Sequence, residues 1–340
     1  MRRFACLMIL LCAAGAAVGE VPSANPQAVA KARSAFVDRM VRKHGFTRAD
    51  VESILDQAHI LPAVLQAISR PAERVIPWYR YRSIFLNPER IEAGVKFWRE
   101  HADLLARVAA DRHVDPALIV SILGIETRFG VQTGNYRVLD ALATLAFAYP
   151  PRAAFFAGQL EQFLLISREE GKDVLQARGS YAGAMGAAQF VPSSFRAYAV
   201  DEDGDGRRDI WNDWADVLGS IANYFERHGW KPGQPVATRA ERVPADGGVK
   251  LDTTDRFDLD ATIGALTAKG YVFSTRLPES AAAAVFALEA DSHDAEYWVG
   301  FHNFDVITRY NRSIKYALAA YQLSQAILHA HETASGNGAP

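Results

Sequence analysis

Between Ala28 and Gly229 apolar residues recur mostly three or four positions apart, the period of helices that bury one face. Leu104, Leu105, Val108 and Ala109 form one such stripe. At Asp115-Pro116 an N-cap residue precedes proline in the first helical position, which predicts a helix over Pro116 to Thr127. Another helix is predicted from about Asp216 to His228, where Gly229 supplies the stop. Beyond it the period changes. From Gln234 to Asp305 short β-rich runs, Gly270 to Ser274 and Ala284 to Leu288 among them, alternate with Pro, Gly and Asp turns. A last helix covers roughly Ser313 to His331, and its stripe of Ala317, Ala320, Tyr321 and Ser324 suggests close packing on the N-terminal helices. The polar ends, Glu20 to Gln27 and His331 to Pro340, read as disordered.

The first residues follow another pattern: Met1-Arg2-Arg3, an apolar run from Phe4 to Ala17, then the small-residue exit Ala17-Val18-Gly19. This reads as a cleavable export signal, too short to span a bilayer, cut after Gly19 or alternatively after Ala16. Cys6 and Cys12 both lie in the removed segment, so the mature chain is expected to form no disulfide although its compartment permits them. An outer-membrane lipoprotein acylated at Cys12 is the less favoured reading, because bulky Leu11 stands where a lipobox carries a small residue. The expected location is periplasmic. The remaining length suits one lobed body or two domains with a shared core, and a hydrophobic fraction of 49% suffices for it. Mixed charges and a formal net charge of −2 leave no polybasic footprint for nucleic acid.

One polar stretch carries metal chemistry. Asp201-Glu202-Asp203-Gly204-Asp205-Gly206-Arg207-Arg208-Asp209 sets acidic oxygens at alternate positions around a glycine, the arrangement of a calcium loop. Asp201, Asp203 and Asp205 would supply carboxylates, Arg207 its backbone carbonyl, and Asp209 a direct or water-bridged ligand, with the sharp turn at Gly206 and an apolar anchor at Ile210. Asn212 stands where a sensor loop carries a bidentate Glu, so Asp213 or Asp216 would close the site. The competing reading is a solvated Asp/Gly turn.

Three further patterns bear on chemistry. Glu126 follows Leu123, Ile122 and Ile119 by three, four and seven residues, which puts its carboxylate on the apolar stripe of its helix. A desolvated carboxylic acid keeps its proton to higher pH, as a general acid must; the alternative is a structural salt bridge, with Arg128 as candidate. The small-residue segment Gly179 to Ser194 lets a ligand approach the backbone and offers Ser180, Gln189 and Phe190, a mixture suited to carbohydrate; tight packing around Gly183 and Gly186 explains it equally well. Trp78-Tyr79-Arg80-Tyr81-Arg82, Tyr297-Trp298 and Tyr310-Asn311 are aromatic clusters on which sugar C–H faces could stack, though each taken alone is more often core than ligand site.

Together, Gly124-Ile125-Glu126-Thr127-Arg128-Phe129-Gly130, Leu139-Asp140-Ala141-Leu142-Ala143-Thr144-Leu145, Ser180 to Ser194, the Asp201 loop, Ala222-Asn223-Tyr224-Phe225 and Ile307-Thr308-Arg309-Tyr310-Asn311 resemble, in order and spacing, the membrane-bound lytic murein transglycosylase B family (family 3 lytic transglycosylases, lysozyme-like superfamily). The resemblance covers nearly the whole mature chain. It implies a mainly α (α+β) fold: signal peptide 1–19, an N-terminal helical lobe over 28–100 completed by 313–331, a lysozyme-like catalytic core over 101–230 with its EF-hand-like calcium loop at 201–213, a small β subdomain over 234–305, and a disordered tail over 332–340. It implies a catalytic acid/base at Glu126, glycan-site positions at Ser180, Gln189, Phe190, Tyr224, Tyr310, Asn311, Tyr316 and Tyr81, and structural Ca2+ with Asp216 as the equivalent of the closing carboxylate. Two departures stand out, Asn212 with one extra residue between Trp211 and Asp216, and the small pair Ala187-Ala188 before Gln189.

The activity so implied is cleavage of the β-1,4 bond between N-acetylmuramic acid and N-acetylglucosamine in peptidoglycan, leaving 1,6-anhydromuramyl ends. One carboxylate serves where most glycosidases use two. Glu126 would first protonate the leaving oxygen, the muramic 2-acetamido group, oriented by Ser180, would take up the developing charge, and Glu126 would then accept the C6 hydroxyl proton. Peptidoglycan glycan strands are the expected partner, cell-wall synthase complexes a further candidate, and a monomer the expected state. A hydrolytic muramidase of the same fold and a non-catalytic, calcium-stabilised glycan-binding protein are the alternatives.

Overall fold

The computed structural model describes residues 25–69, 76–242, 256–291 and 294–336. The expected export signal over 1–19, with Cys6 and Cys12, and residues 337–340 of the expected tail lie outside the described residues. Helix dominates and two small antiparallel sheets accompany it, the mainly α (α+β) class: one has five strands, and the other pairs β1 (Tyr136–Arg137) with β2 (Arg178–Gly179). The chain forms two compact units, each made from two separate stretches: residues 25–69 with 130–220, and residues 76–129 with 221–336.

In the first unit, α1 (Pro26–His44) starts where Asn25 Oδ1 accepts the N–H groups of Gln27 and Ala28 at 3.0 and 3.4 Å, and stops at left-handed Gly45. Helical order thus begins inside the stretch read as disordered, because Asn25-Pro26 forms a cap. Helices α2 (Arg48–Asp56) and α3 (Pro62–Ile68) follow. The centre of this unit is α8 (Val138–Ala148), buried at every position and packed against α9 (Ala153–Glu170). Two of its buried residues are polar, and both are satisfied across the α2–α3 connection. Asp140 accepts the His59 N–H at 3.0 Å and a bidentate pair from Arg137, while Thr144 Oγ1 accepts the Leu61 N–H at 2.9 Å. On α9, buried Glu161 accepts from Lys43 Nζ at 2.7 Å and pairs with His44 Nε2 at 2.8 Å, which ties down the end of α1. Burial alone would raise the Glu161 carboxyl, but Lys43 and His44 outweigh it and hold the group below its ordinary value.

The second unit contains α4 (Trp78–Phe85), α5 (Pro88–Glu100), α6 (Ala102–Arg112) and α7 (Pro116–Thr127). Helix α11 (Trp214–Arg227) carries the chain from residues of the first unit into the second. A five-stranded antiparallel sheet in the order β4-β6-β7-β3-β5 follows, from β3 (Ala237–Arg242), β4 (Ala261–Thr262), β5 (Tyr271–Val272), β6 (Ala282–Glu289) and β7 (Ala295–Gly300). Its longest pairing runs from Ala284 opposite Gly300 to Glu289 opposite Ala295. Ile263, Leu266, Tyr271, Val299 and Phe301 pack on it as a small core. Helix α13 (His302–Tyr310) leads to α14 (Ile314–Gly336), which packs on α7, α5, α13 and α4 through buried Ala317, Ala320, Leu323, Ser324 and Ile327. It continues to Gly336, past the end near His331 that its sequence pattern predicts.

Candidate active site

Helix α7 is buried at every position from Ala117 to Thr127 except Glu126, which is partly accessible. The stripe reading therefore needs correcting: from Ala117 to Thr127 the helix is packed on all sides, with Ser121 and Thr127 buried too, and Glu126 marks the one opening in that stretch. Just past Glu126 the chain leaves the helix through three left-handed residues, Arg128, Phe129 and Gly130, with φ of 51°, 59° and 83°. Two of these are not glycine, and such backbone persists only where the surroundings over-determine it. The fixing contacts are the N–H groups of Arg128 and Phe129, which return to the carbonyls of Gly124 and Leu123, and the Phe129 ring, which lies where a Cβ on Gly124 would sit 2.7 Å from its Cζ.

A group of phenols surrounds this carboxylate. Tyr316, fully buried in the first turns of α14, donates from Oη to Glu126 Oε1 at 2.7 Å. Tyr310 ends α13, with its ring 4.8 Å from that of Tyr224 and stacked on Phe225. Tyr224 donates to the Arg309 carbonyl at 2.6 Å, so its own hydroxyl is anchored. Burial first, then the Glu126 charge, hold the Tyr310 and Tyr316 hydroxyls well above the ordinary phenol range. Both therefore stay protonated and able to donate at any physiological pH. Tyr81, which also acts on Tyr316, is fully buried with its ring stacked near Trp78 and tilted against Phe85. Asn311 is the partly exposed, extended residue that ends α13. Glu126, Tyr81, Tyr224, Tyr310, Asn311 and Tyr316 thus all belong to one unit. Neither spacing nor periodicity exposes Tyr316, which is 190 residues from Glu126 in sequence.

Ser180, Gln189 and Phe190 belong to the other unit, in a compact turn where Met185 bridges to Gly179 and Phe190. Ser180 is buried, and its Oγ accepts the N–H groups of Ala182 and Ala184 at 3.2 and 3.0 Å. Gln189 takes a left-handed backbone, φ 52°, and its Nε2 donates to the carbonyls of Thr133 and Gly186 at 3.0 and 2.7 Å. Its buried Oε1 has no hydrogen-bond partner among the described residues. Packing also shapes the segment: a Cβ on Gly186 would meet the Ile210 carbonyl oxygen at 2.2 Å, and the Ala187 N–H donates to that same oxygen at 2.9 Å.

That contact joins the turn to the acidic loop. Carboxylate oxygens of Asp201, Asp203 and Asp205 lie within 4.8 Å of one another. The Asp201 carboxylate accepts N–H groups from Gly204, Asp205 and Gly206; burial pushes its pKa up, but these donors prevail and bring it below the ordinary value. The donor set is oxygen only, which fits a hard divalent cation, and unneutralised charges this close repel. Arg207 is exposed. The remaining expected ligands are not gathered with the three. Asp209 is ion-paired to Lys172 at 2.7 Å. Asp216 is buried and spans the loop, accepting the N–H of Glu202 at 2.8 Å and that of Asp209 at 2.6 Å.

The sequence pattern of the transglycosylase SLT domain family matches residues 28–325, and the chain belongs to that family. Membrane-bound lytic murein transglycosylase B of Escherichia coli K12 is 43% identical over 301 residues, spanning 86% of this chain and 81% of the relative. Among solved structures, soluble lytic transglycosylase SltB1 of Pseudomonas aeruginosa is 45% identical with a TM-score of 0.80, covering 89% of this chain and 99% of that one. The Escherichia coli lytic transglycosylase Slt35 in complex with calcium is 42% identical with a TM-score of 0.79, covering 88% and 93%.

Proposed function

We propose that this chain is a lytic transglycosylase that cleaves the MurNAc–GlcNAc bond of peptidoglycan and leaves 1,6-anhydromuramyl ends, with Glu126 as sole acid and base. The observation that carries the reading is Glu126 itself, the one partly accessible side chain between Ala117 and Thr127 of an otherwise buried helix, hydrogen-bonded by a buried phenol. Protonated Glu126 gives its proton to the leaving GlcNAc oxygen as positive charge grows on the muramic ring. The muramic acetamido oxygen takes up that charge. The Tyr316 hydroxyl, donating to Oε1, stabilises the carboxylate as it forms. The carboxylate then removes the C6 hydroxyl proton while that oxygen attacks C1, so no water is consumed.

Ser180, Gln189 and Phe190 are assigned to glycan binding on local grounds. The strained backbone and unsatisfied Oε1 of Gln189 leave an acceptor for a sugar N–H or O–H. A calcium ion held by Asp201, Asp203, Asp205 and the Arg207 carbonyl would neutralise the loop. It would also stiffen the Ile210 contact to Ala187, and thus the turn that carries Gln189. We place the mature protein in the periplasm after removal of residues 1–19; among the described residues no helix is long and apolar enough to cross a membrane.

The product decides between this reading and a hydrolytic muramidase. Sacculi digested in oxygen-18 water should yield muropeptides one water lighter than muramidase products, without label at the muramic C1. Labelled reducing muramic ends as primary product would refute the intramolecular route.

A further inference from the structure

Behind Glu126 lies a cation that the mechanism does not use. Arg90, in the first turn of α5, is only 7% exposed, and no carboxylate pairs with it among the described residues. Burying an unpaired cation is expensive, so what it holds is informative. Its Nη1 donates to the Gly124 carbonyl, two residues before Glu126. Its Nη2 reaches the Ile84 carbonyl at 3.5 Å, and its guanidinium lies over the Phe85 ring, 5.4 Å from the centroid. Gly124 and Ile84 are in the last turns of α7 and α4, where a cation meets the negative dipole end, and the guanidinium is a second donor to carbonyls that also accept the Arg128 N–H and Asn87 Nδ2. The planar guanidinium offers a separate nitrogen to each of two carbonyls in a fixed fork, a geometry that the single nitrogen of an ammonium does not reproduce. The rest of α4 is tied from the opposite end, since the Trp78 indole N–H donates to Glu296 and the Trp78 backbone N–H to Glu289 at 3.3 Å.

We propose that Arg90 is a positioning residue for the catalytic acid, clamping the last turn of α7, and so Glu126, to the end of α4, the helix that carries Tyr81. This rests on the assignment of Glu126 made above. The guanidinium stays charged at neutral pH although burial, helped by nearby Arg128, lowers its pKa to about 10. Displacing a reacting group by about 1 Å costs on the order of a hundredfold in rate, whereas substrate affinity set by other residues is untouched. The clamp should therefore appear in kcat and not in KM.

The test compares Arg90→Gln and Arg90→Lys with wild type on soluble glycan strands, well below each variant's melting temperature. Expected are a loss of at least tenfold in kcat for Arg90→Gln, KM within twofold, and partial recovery in Arg90→Lys, which can hold one carbonyl of the two. A lowered melting temperature with kcat per folded molecule within twofold of wild type would reduce Arg90 to a purely structural role; raised KM with unchanged kcat would make it a binding residue. If the Gln variant does not fold, the Lys variant decides by the same split. Glu126→Gln run alongside separates the two levels. Wild-type turnover in that variant would remove the acid assignment itself, whereas an inactive Glu126→Gln beside a fully active Arg90→Gln overturns only the clamp.

Discussion

Replacing Tyr316 by phenylalanine removes a single hydroxyl, the one that donates to Glu126 at 2.7 Å, and keeps a ring that is fully buried. The effect on rate depends on how the hydrogen bond changes during the reaction, not on its whole strength. To a neutral carboxylic acid it is worth about 1 kcal/mol, and to a carboxylate about 1.5–3 kcal/mol. On the proposed mechanism the difference, about 0.5–2 kcal/mol, is gained only as Glu126 gives up its proton. At 1.36 kcal/mol per decade this corresponds to a fall in kcat of about 2- to 30-fold. Muropeptide release from sacculi, followed chromatographically over initial rates, measures it, with circular dichroism to verify the fold. Wild-type turnover would show that the phenol does not stabilise the forming carboxylate. A loss beyond about a thousandfold would show instead that Tyr316 takes part in proton transfer, which a phenol held well above its ordinary pKa is not expected to do.

Glu126→Gln should cut turnover by at least about a hundredfold while glycan binding, read by sacculus pull-down, survives. Chelator should lower the melting temperature and calcium should restore it more fully than magnesium; Asp205→Ala melting like wild type, with neither responding to calcium, would remove the loop as a metal site. Glu161 has a folded pKa below its unfolded one, so its contribution to stability is present above the unfolded carboxylate pKa near 4.3 and is lost as pH falls through the folded value. Urea melts of Glu161→Gln should accordingly show a smaller loss of stability than wild type between about pH 5 and pH 3; parallel acid dependences would refute that assignment.

Helix ends were easier to read than helix environments. Asp115-Pro116 marks the start of α7 because a proline at N1 imposes its own φ, even though the Asp115 side chain makes no capping hydrogen bond. The environment of α7 is not legible from its pattern, since a helix buried on all sides has no stripe to detect and its lone charged residue then marks an opening. Ala284 to Leu288 falls within β6, whereas the run from Gly270 to Ser274 pairs only at Tyr271 and Val272, opposite Arg242 and Glu241. Strand length depends on a partner that the run itself does not name. In the acidic loop the alternating Asp residues point to the cluster, but only the fold shows Asp209 taken by Lys172 and Asp216 by loop backbone. Arg90 gave no signal at all: in Asn87-Pro88-Glu89-Arg90 it looks like one of two ordinary surface charges in the first turn of a helix. Its burial follows from which helices pack against α5, information that is non-local.

The bond between Tyr316 and Glu126 spans 190 positions, and the phenol lies in the last helix of the chain. Synthesis delivers the acid long before its partner. A fragment that ends ahead of Ser313 has the full α7 sequence but neither Tyr316 nor the helix that packs on it. An enzyme proposed to cut the wall that encloses its own cell is thus built so that prematurely terminated chains lack the contact between Tyr316 and Glu126.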